Sequence, residues 1–85
     1  MKKDNNISES DHKRFWAVVE KIARDKGISV SRLAVLAGKD ATTFNKSKRI
    51  DNGYYRLPFF ATVMAILRAC NLTWHDWARY WDSME

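Results

Sequence analysis

The chain has 85 residues and a formal net charge of +5, with 46% hydrophobic residues, 13% aromatic residues and four tryptophans. That length holds one domain and leaves no room for a second, and so apolar a composition excludes a disordered chain. Three glycines and one proline supply little turn chemistry for a multi-stranded sheet, so an all-α fold is expected.

A basic balance, with a pI near 9.6, suits a polyanionic partner such as nucleic acid. The single cysteine, Cys70, excludes an internal disulfide framework and fits a reducing compartment. Its apolar neighbours mark it as a buried thiol rather than a nucleophile. The polar start, Met1 to Ser10, lacks the apolar run of a signal peptide. The longest apolar stretch, Leu57 to Cys70, is too short to span a bilayer. A cytoplasmic protein with no membrane partner is expected.

Residues 1–7 read as a loose tail ahead of one domain over 8–85. Ser8 or Ser10 can cap a first helix, with Asp11 at the positive end of its dipole. Phe15, Val18, Val19 and Ile22 recur at helical spacing up to Lys26, and Gly27 is a left-handed stop. Ser29 caps a short second helix carrying Leu33, Ala34, Leu36 and Ala37, closed by Gly38. After Lys39, Asp40 is placed to cap a third helix from Ala41, anchored by Phe44 and finished by Lys48.

Ile50 to Leu57 reads as a loop, with Asp51-Asn52-Gly53 as its turn. Pro58 suits the first position of a fourth helix. There Phe60, Val63, Met64 and Leu67 line one face, and Phe59, Val63, Ile66 and Cys70 the next. So broad an apolar surface predicts a central helix packed on several sides. Asn71 stops it. Thr73 and Asp76 form a capping-box pair for a fifth helix, Trp74 to about Ser83. The expected architecture is a compact five-helix bundle.

The segment from Ser29 to Arg49 carries the chemistry. Two short helices meet at a tight Gly38-Lys39-Asp40 turn, with Leu33 and Phe44 as anchors and Ala34 small at the close approach. This is the build of a helix-turn-helix, which lifts one helix out of a domain toward a major groove. The groove admits a helix led by small or polar side chains, and Ala41, Thr42, Thr43, Asn45 and Lys46 meet that requirement. Lys46, Lys48, Arg49 and Arg56 follow as a basic cluster. From Arg32 to Arg56 six basic residues face two acidic ones, a net +4 of the chain's +5, the footprint expected for phosphate binding.

The run Ser-Val-Ser-Arg-Leu-Ala-Val-Leu-Ala-Gly-Lys-Asp-Ala-Thr-Thr-Phe-Asn from Ser29 resembles the helix-turn-helix of phage-repressor-like (XRE-type) bacterial transcriptional regulators. Lys46-Ser-Lys-Arg, Gly53 and Arg56-Leu-Pro extend the resemblance, which covers about Phe15 to Trp81. It implies a lambda repressor-like domain that binds double-stranded DNA, with Ala41, Thr42 and Lys46 facing base edges. Thr43 and Asn45 would lie beside them, near sugar and phosphate. Ser29 to Ser31 would meet a phosphate at a helix start, and Lys48 and Arg49 would hold neighbouring phosphates. A homodimer on DNA is implied, since two recognition helices must stand one DNA turn apart. Two departures stand out: Val30 replaces a polar residue common in the family, and Ala41 can touch a thymine methyl but cannot hydrogen-bond through its side chain.

Trp74, Trp77 and Trp81 share one helical face, with Tyr80 beside it. The spacing fits either a cover for one end of the bundle or a dimer or partner surface. Nothing in the sequence selects a metal site, a cofactor, a small-molecule substrate or a catalytic constellation, so a non-enzyme is expected. The rival reading is a protein–protein interaction module that keeps the scaffold and works through this aromatic face.

Overall fold

The structure, a computed structural model, describes residues 7–84. The tail expected over residues 1–7 therefore lies outside the described residues except for Ile7, which is half-buried. Four α-helices and one short hairpin follow in order: α1 (Glu9–Asp25), α2 (Val30–Leu36), a single 3₁₀ turn (Lys46–Lys48), β1 (Ile50–Asp51), β2 (Tyr54–Tyr55), α3 (Phe60–Ala69) and α4 (Trp74–Ser83).

Local chemistry accounts for the helix ends. The Asp11 amide donates to Ser8 Oγ (3.1 Å) and the Arg32 amide to Ser29 Oγ (3.0 Å). Each bond satisfies an amide that has no partner within its own helix. At the start of α4 the box is complete, with the Asp76 amide on Thr73 Oγ1 (3.2 Å) and the Thr73 amide on Asp76 Oδ2 (2.8 Å). The stops of α1, α2 and α3 share one motif. After α2, Gly38 turns left-handed (φ 82°), its amide meets the Val35 carbonyl and the Lys39 amide meets that of Ala34, both at 2.9 Å. Asn71 (φ 59°) does the same after α3, as asparagine can.

The core is organised around α1, which contributes Phe15, Trp16, Val18, Val19, Ile22 and Ala23. It packs on α2 and α4, and α2 packs on α3. Leu33 and Ala34 of α2, Ala37, Phe44, and Val63, Ile66 and Cys70 complete the cluster. Cys70 is buried, as its neighbours imply, and burial pushes its thiol pKa upward.

Three expectations are corrected. The fourth predicted helix is not central: α3 buries only Thr62, Val63, Ile66 and Leu67, while Phe59 is 83% exposed and Phe60 68%. Phe59 caps that helix and Phe60 opens it, so Pro58 stands just ahead of the cap rather than at the first helical position.

The loop at Ile50–Leu57 contains an antiparallel hairpin pairing Ile50 with Tyr55 and Asp51 with Tyr54. Asn52 (φ 52°) and Gly53 (φ 81°) form its two-residue turn. Positive φ at both central positions matches the right-handed twist of the strands.

The third correction concerns the segment after Asp40, which forms no α-helix, so the five-helix bundle becomes four helices and a hairpin. Short i→i+3 bonds replace the helical ladder: Thr43 to Asp40, Asn45 to Thr42 and Lys48 to Asn45 (2.9–3.1 Å). Asn45 is extended (ψ 147°) between them. Thr42, Thr43, Asn45 and Ser47 are weak helix formers. In addition, the Phe44 carbonyl, which an α-helix would offer to the Lys48 amide, accepts from the Arg49 guanidinium instead (2.9 and 3.2 Å).

Candidate nucleic-acid interface

The polar run after Gly38 is carried on two internal fixings. Phe44 is fully buried against Trp16, ring centres 5.9 Å apart. Arg49 turns inward: its guanidinium lies 4.2 Å from the Trp16 ring centre, bonds twice to the Phe44 carbonyl and pairs with Glu20 at 3.0 Å. Around these fixings Ala41, Thr42, Asn45, Lys46 and Lys48 are exposed and Thr43 is half-buried. Small and polar side chains thus face outward from a turn whose backbone is held from beneath.

Lys48 Nζ donates to Thr42 Oγ1 (3.1 Å), so a residue expected at base edges and one expected at phosphate occupy one spot. Thr43, Lys48 and Arg56 meet around a cleft of about 240 Å³ walled by Trp16, Phe44, Leu57 and Pro58. Arg56 is exposed and pairs with Asp51 across the hairpin at 3.0 Å, a surface contact that water screens strongly. Ser29 and Ser31 stand exposed at the start of α2 and do not line that cleft. The Ser29 hydroxyl is already engaged by the Arg32 amide.

Arg49 is the expected phosphate contact that the structure places elsewhere. Its side chain is only 11% exposed, and its hydrogen bonds and ion pair hold the loop rather than a ligand.

Sequence reasoning passed over three residues that hold this site: His12, Trp16 and Glu20. His12 is buried, its Nε2 donates to the Arg49 carbonyl (3.0 Å), and its ring stacks on Tyr55 at 4.6 Å. The signal was available, because positions 12, 16 and 20 repeat every four residues and share one face of the first helix.

The aromatic face divides. Trp77 packs on Phe15 at 5.4 Å, Tyr80 donates to Asp25 Oδ2 at 2.7 Å, and Trp81 lies beneath the Arg14 guanidinium at 5.0 Å. These three residues tie α4 to α1. Trp74 alone is exposed, at 40%, and stacks on Phe60.

Among the described residues no cluster of His, Cys, Asp and Glu could hold a metal ion, and no helix is long and apolar enough to cross a membrane. No family model, no curated protein and no solved structure matches the chain.

Proposed function

We propose that this chain binds double-stranded DNA as a bacterial or phage-type transcriptional regulator, a non-enzyme acting in the cytoplasm and working as a dimer on its site. The observation that carries the reading is the exposed run Ala41–Lys48, rigidly supported by buried Phe44 and inward-turned Arg49. Ala41, Thr42 and Lys46 are the base readers, with Thr43 and Asn45 flanking them. Lys48 and Arg56 hold phosphates, and the exposed start of α2 at Ser29 and Ser31 offers backbone amides to another. Since the reading element is a pair of tight turns rather than a helix, it meets the groove by its tip.

Selection of bound sites from random duplex DNA tests this. Recovery of an inverted repeat with half-sites about one helical turn apart would establish sequence reading and two-fold binding. Binding without enrichment, lost as salt rises, would reduce the chain to a non-specific basic domain. No binding at low salt would reject the reading. On the α4 aromatic face of the rival interaction module, Trp77, Tyr80 and Trp81 are held against α1 and Trp74 is exposed.

A further inference from the structure

Trp16 lines the cleft of about 240 Å³ that also holds Lys48 and Arg56. The residue is 6% exposed, and among the described residues its Nε1–H is the buried side-chain group without a hydrogen-bond partner. Arg49 lies over the face of the ring, and Phe15 and Phe44 make T-shaped contacts with it, ring centres 5.1 and 5.9 Å apart. So held, the indole cannot turn toward another acceptor in the protein, and the acceptor has to come to it. We infer that this cleft binds a small organic anion, a carboxylate on a short apolar body. Its oxygen accepts from Trp16 Nε1, and its charge is met by Lys48 and Arg56.

Three demands select that class. The unpartnered N–H calls for an acceptor, since a buried donor left unpaired costs free energy. Lys48 and Arg56 call for negative charge: both are exposed, and no acidic residue lines the cleft. Each keeps donors in reserve. Lys48 gives one bond to Thr42, and Arg56 gives one terminal nitrogen to Asp51 in an exposed, screened pair. Phe44, Leu57 and Pro58, with the indole itself, call for apolar surface. A water meets the first demand only. A DNA phosphate meets the first two, but its flanking sugars stay on the duplex and it brings no apolar body. The volume, below the roughly 300–1,000 Å³ of ordinary ligand pockets, limits that body to a small one.

Occupancy bears on function. Lys48 and Arg56 are the side chains proposed to hold phosphates, and Thr43, which flanks the base readers, lines the same cleft. A bound anion engages both cations at once, so it competes with duplex DNA and acts as a releasing effector. This last step rests on the DNA reading; the binding of the anion does not.

Benzoate is the probe, with acetate, inorganic phosphate and benzyl alcohol as controls that each lack one demanded feature. Proton–nitrogen NMR of the full chain at constant ionic strength reads the assigned Trp16 indole N–H directly. Benzoate should move that signal saturably, with a Kd of about 1–10 mM for so few atoms. Arg56→Gln, an exposed change that leaves the core intact, should weaken binding about tenfold, and each control should bind more weakly than benzoate. An indole signal that benzoate leaves in place overturns the inference. So does a signal that any control moves equally well, or an unchanged affinity in Arg56→Gln. In a second arm, a mixed-sequence duplex is titrated with benzoate or an equal concentration of acetate present. Release by benzoate alone supports the effector role, and duplex binding that benzoate leaves unchanged removes it. Benzoate binding with no duplex binding would keep the cleft and remove the DNA reading; duplex binding with no benzoate binding would remove the cleft alone.

Discussion

The guanidinium of Arg49 lies 4.2 Å from the centre of the Trp16 indole, joining the end of the polar run to the middle of α1. Glu20, one helical turn beyond Trp16, completes the clamp at 3.0 Å. Removing the side chain leaves the Phe44 carbonyl and Glu20 without their donor and loses the cation–π contact. Arg49→Ala should therefore destabilise the fold by about 2 kcal/mol in urea unfolding. Arg49→Lys should recover little of that, because an ammonium cannot serve a carbonyl and a carboxylate from one plane. A loss within experimental error for Arg49→Ala would show that Phe44 alone holds the loop.

With Arg49 withdrawn, Lys48 and Arg56 remain as the phosphate contacts of the basic cluster. Log K against log salt should then fall with a slope of about −2 per protomer from these side chains, and Lys48→Ala should reduce its magnitude by about one. Thr42→Ala should shift sequence preference. Because Lys48 Nζ donates to Thr42 Oγ1, the double variant should depart from the sum of the singles. Simple additivity would mean that the contact is absent on DNA.

Tyr80 supplies a pH test of the α1–α4 tie. Burial, followed by its hydrogen bond to Asp25, raises its pKa from 10.0 to about 12. A tyrosine whose folded-state pKa is raised adds stability below the ordinary value and loses it as pH climbs through the folded one. Stability should thus decline between about pH 10 and 12. Ultraviolet titration should show a tyrosine step near 12 that Tyr80→Phe abolishes; its persistence in that variant would assign the step to another ring.

Arg14 closes the far end of α4, with Nε on the Trp81 carbonyl and a terminal nitrogen on the Met84 carbonyl, both at 2.9 Å. Those carbonyls lie at a helix C-terminus, where a cation is favourable. Arg14→Ala should cost about 1–2 kcal/mol and release the last turn of α4. Amide exchange at the end of α4 would report the release, and unchanged protection there would count against the cap.

Much of the fold was legible in short spans. The caps at Ser8, Ser29 and Thr73–Asp76, and the stops at Gly27, Gly38 and Asn71, follow from bonds between residues two to five apart. Helices α1, α2 and α4 accordingly stand within a residue of their expected bounds. The candidate site was legible as a polar run with a basic end, and its exposed members are those that small size and polarity suggested. Arg49 and Lys48 look alike in sequence, and only the neighbours brought by α1 separate them.

The sequence by itself determined a mostly helical domain with its helix ends, its buried Cys70 and a net +4 concentrated between Arg32 and Arg56. Periodicity, capping and charge are local properties. Tertiary structure decided that Arg49 faces inward and that Phe59 and Phe60 stay outside, and it joined weak local propensity in leaving Ala41–Lys48 as turns rather than an α-helix. Each of those outcomes depends on a partner distant in the chain. Trp16 and Glu20 hold a guanidinium that takes the Phe44 carbonyl, and Val63 and Ile66, rather than the rings at the start of α3, join Leu33 and Ala34 of α2 in the core.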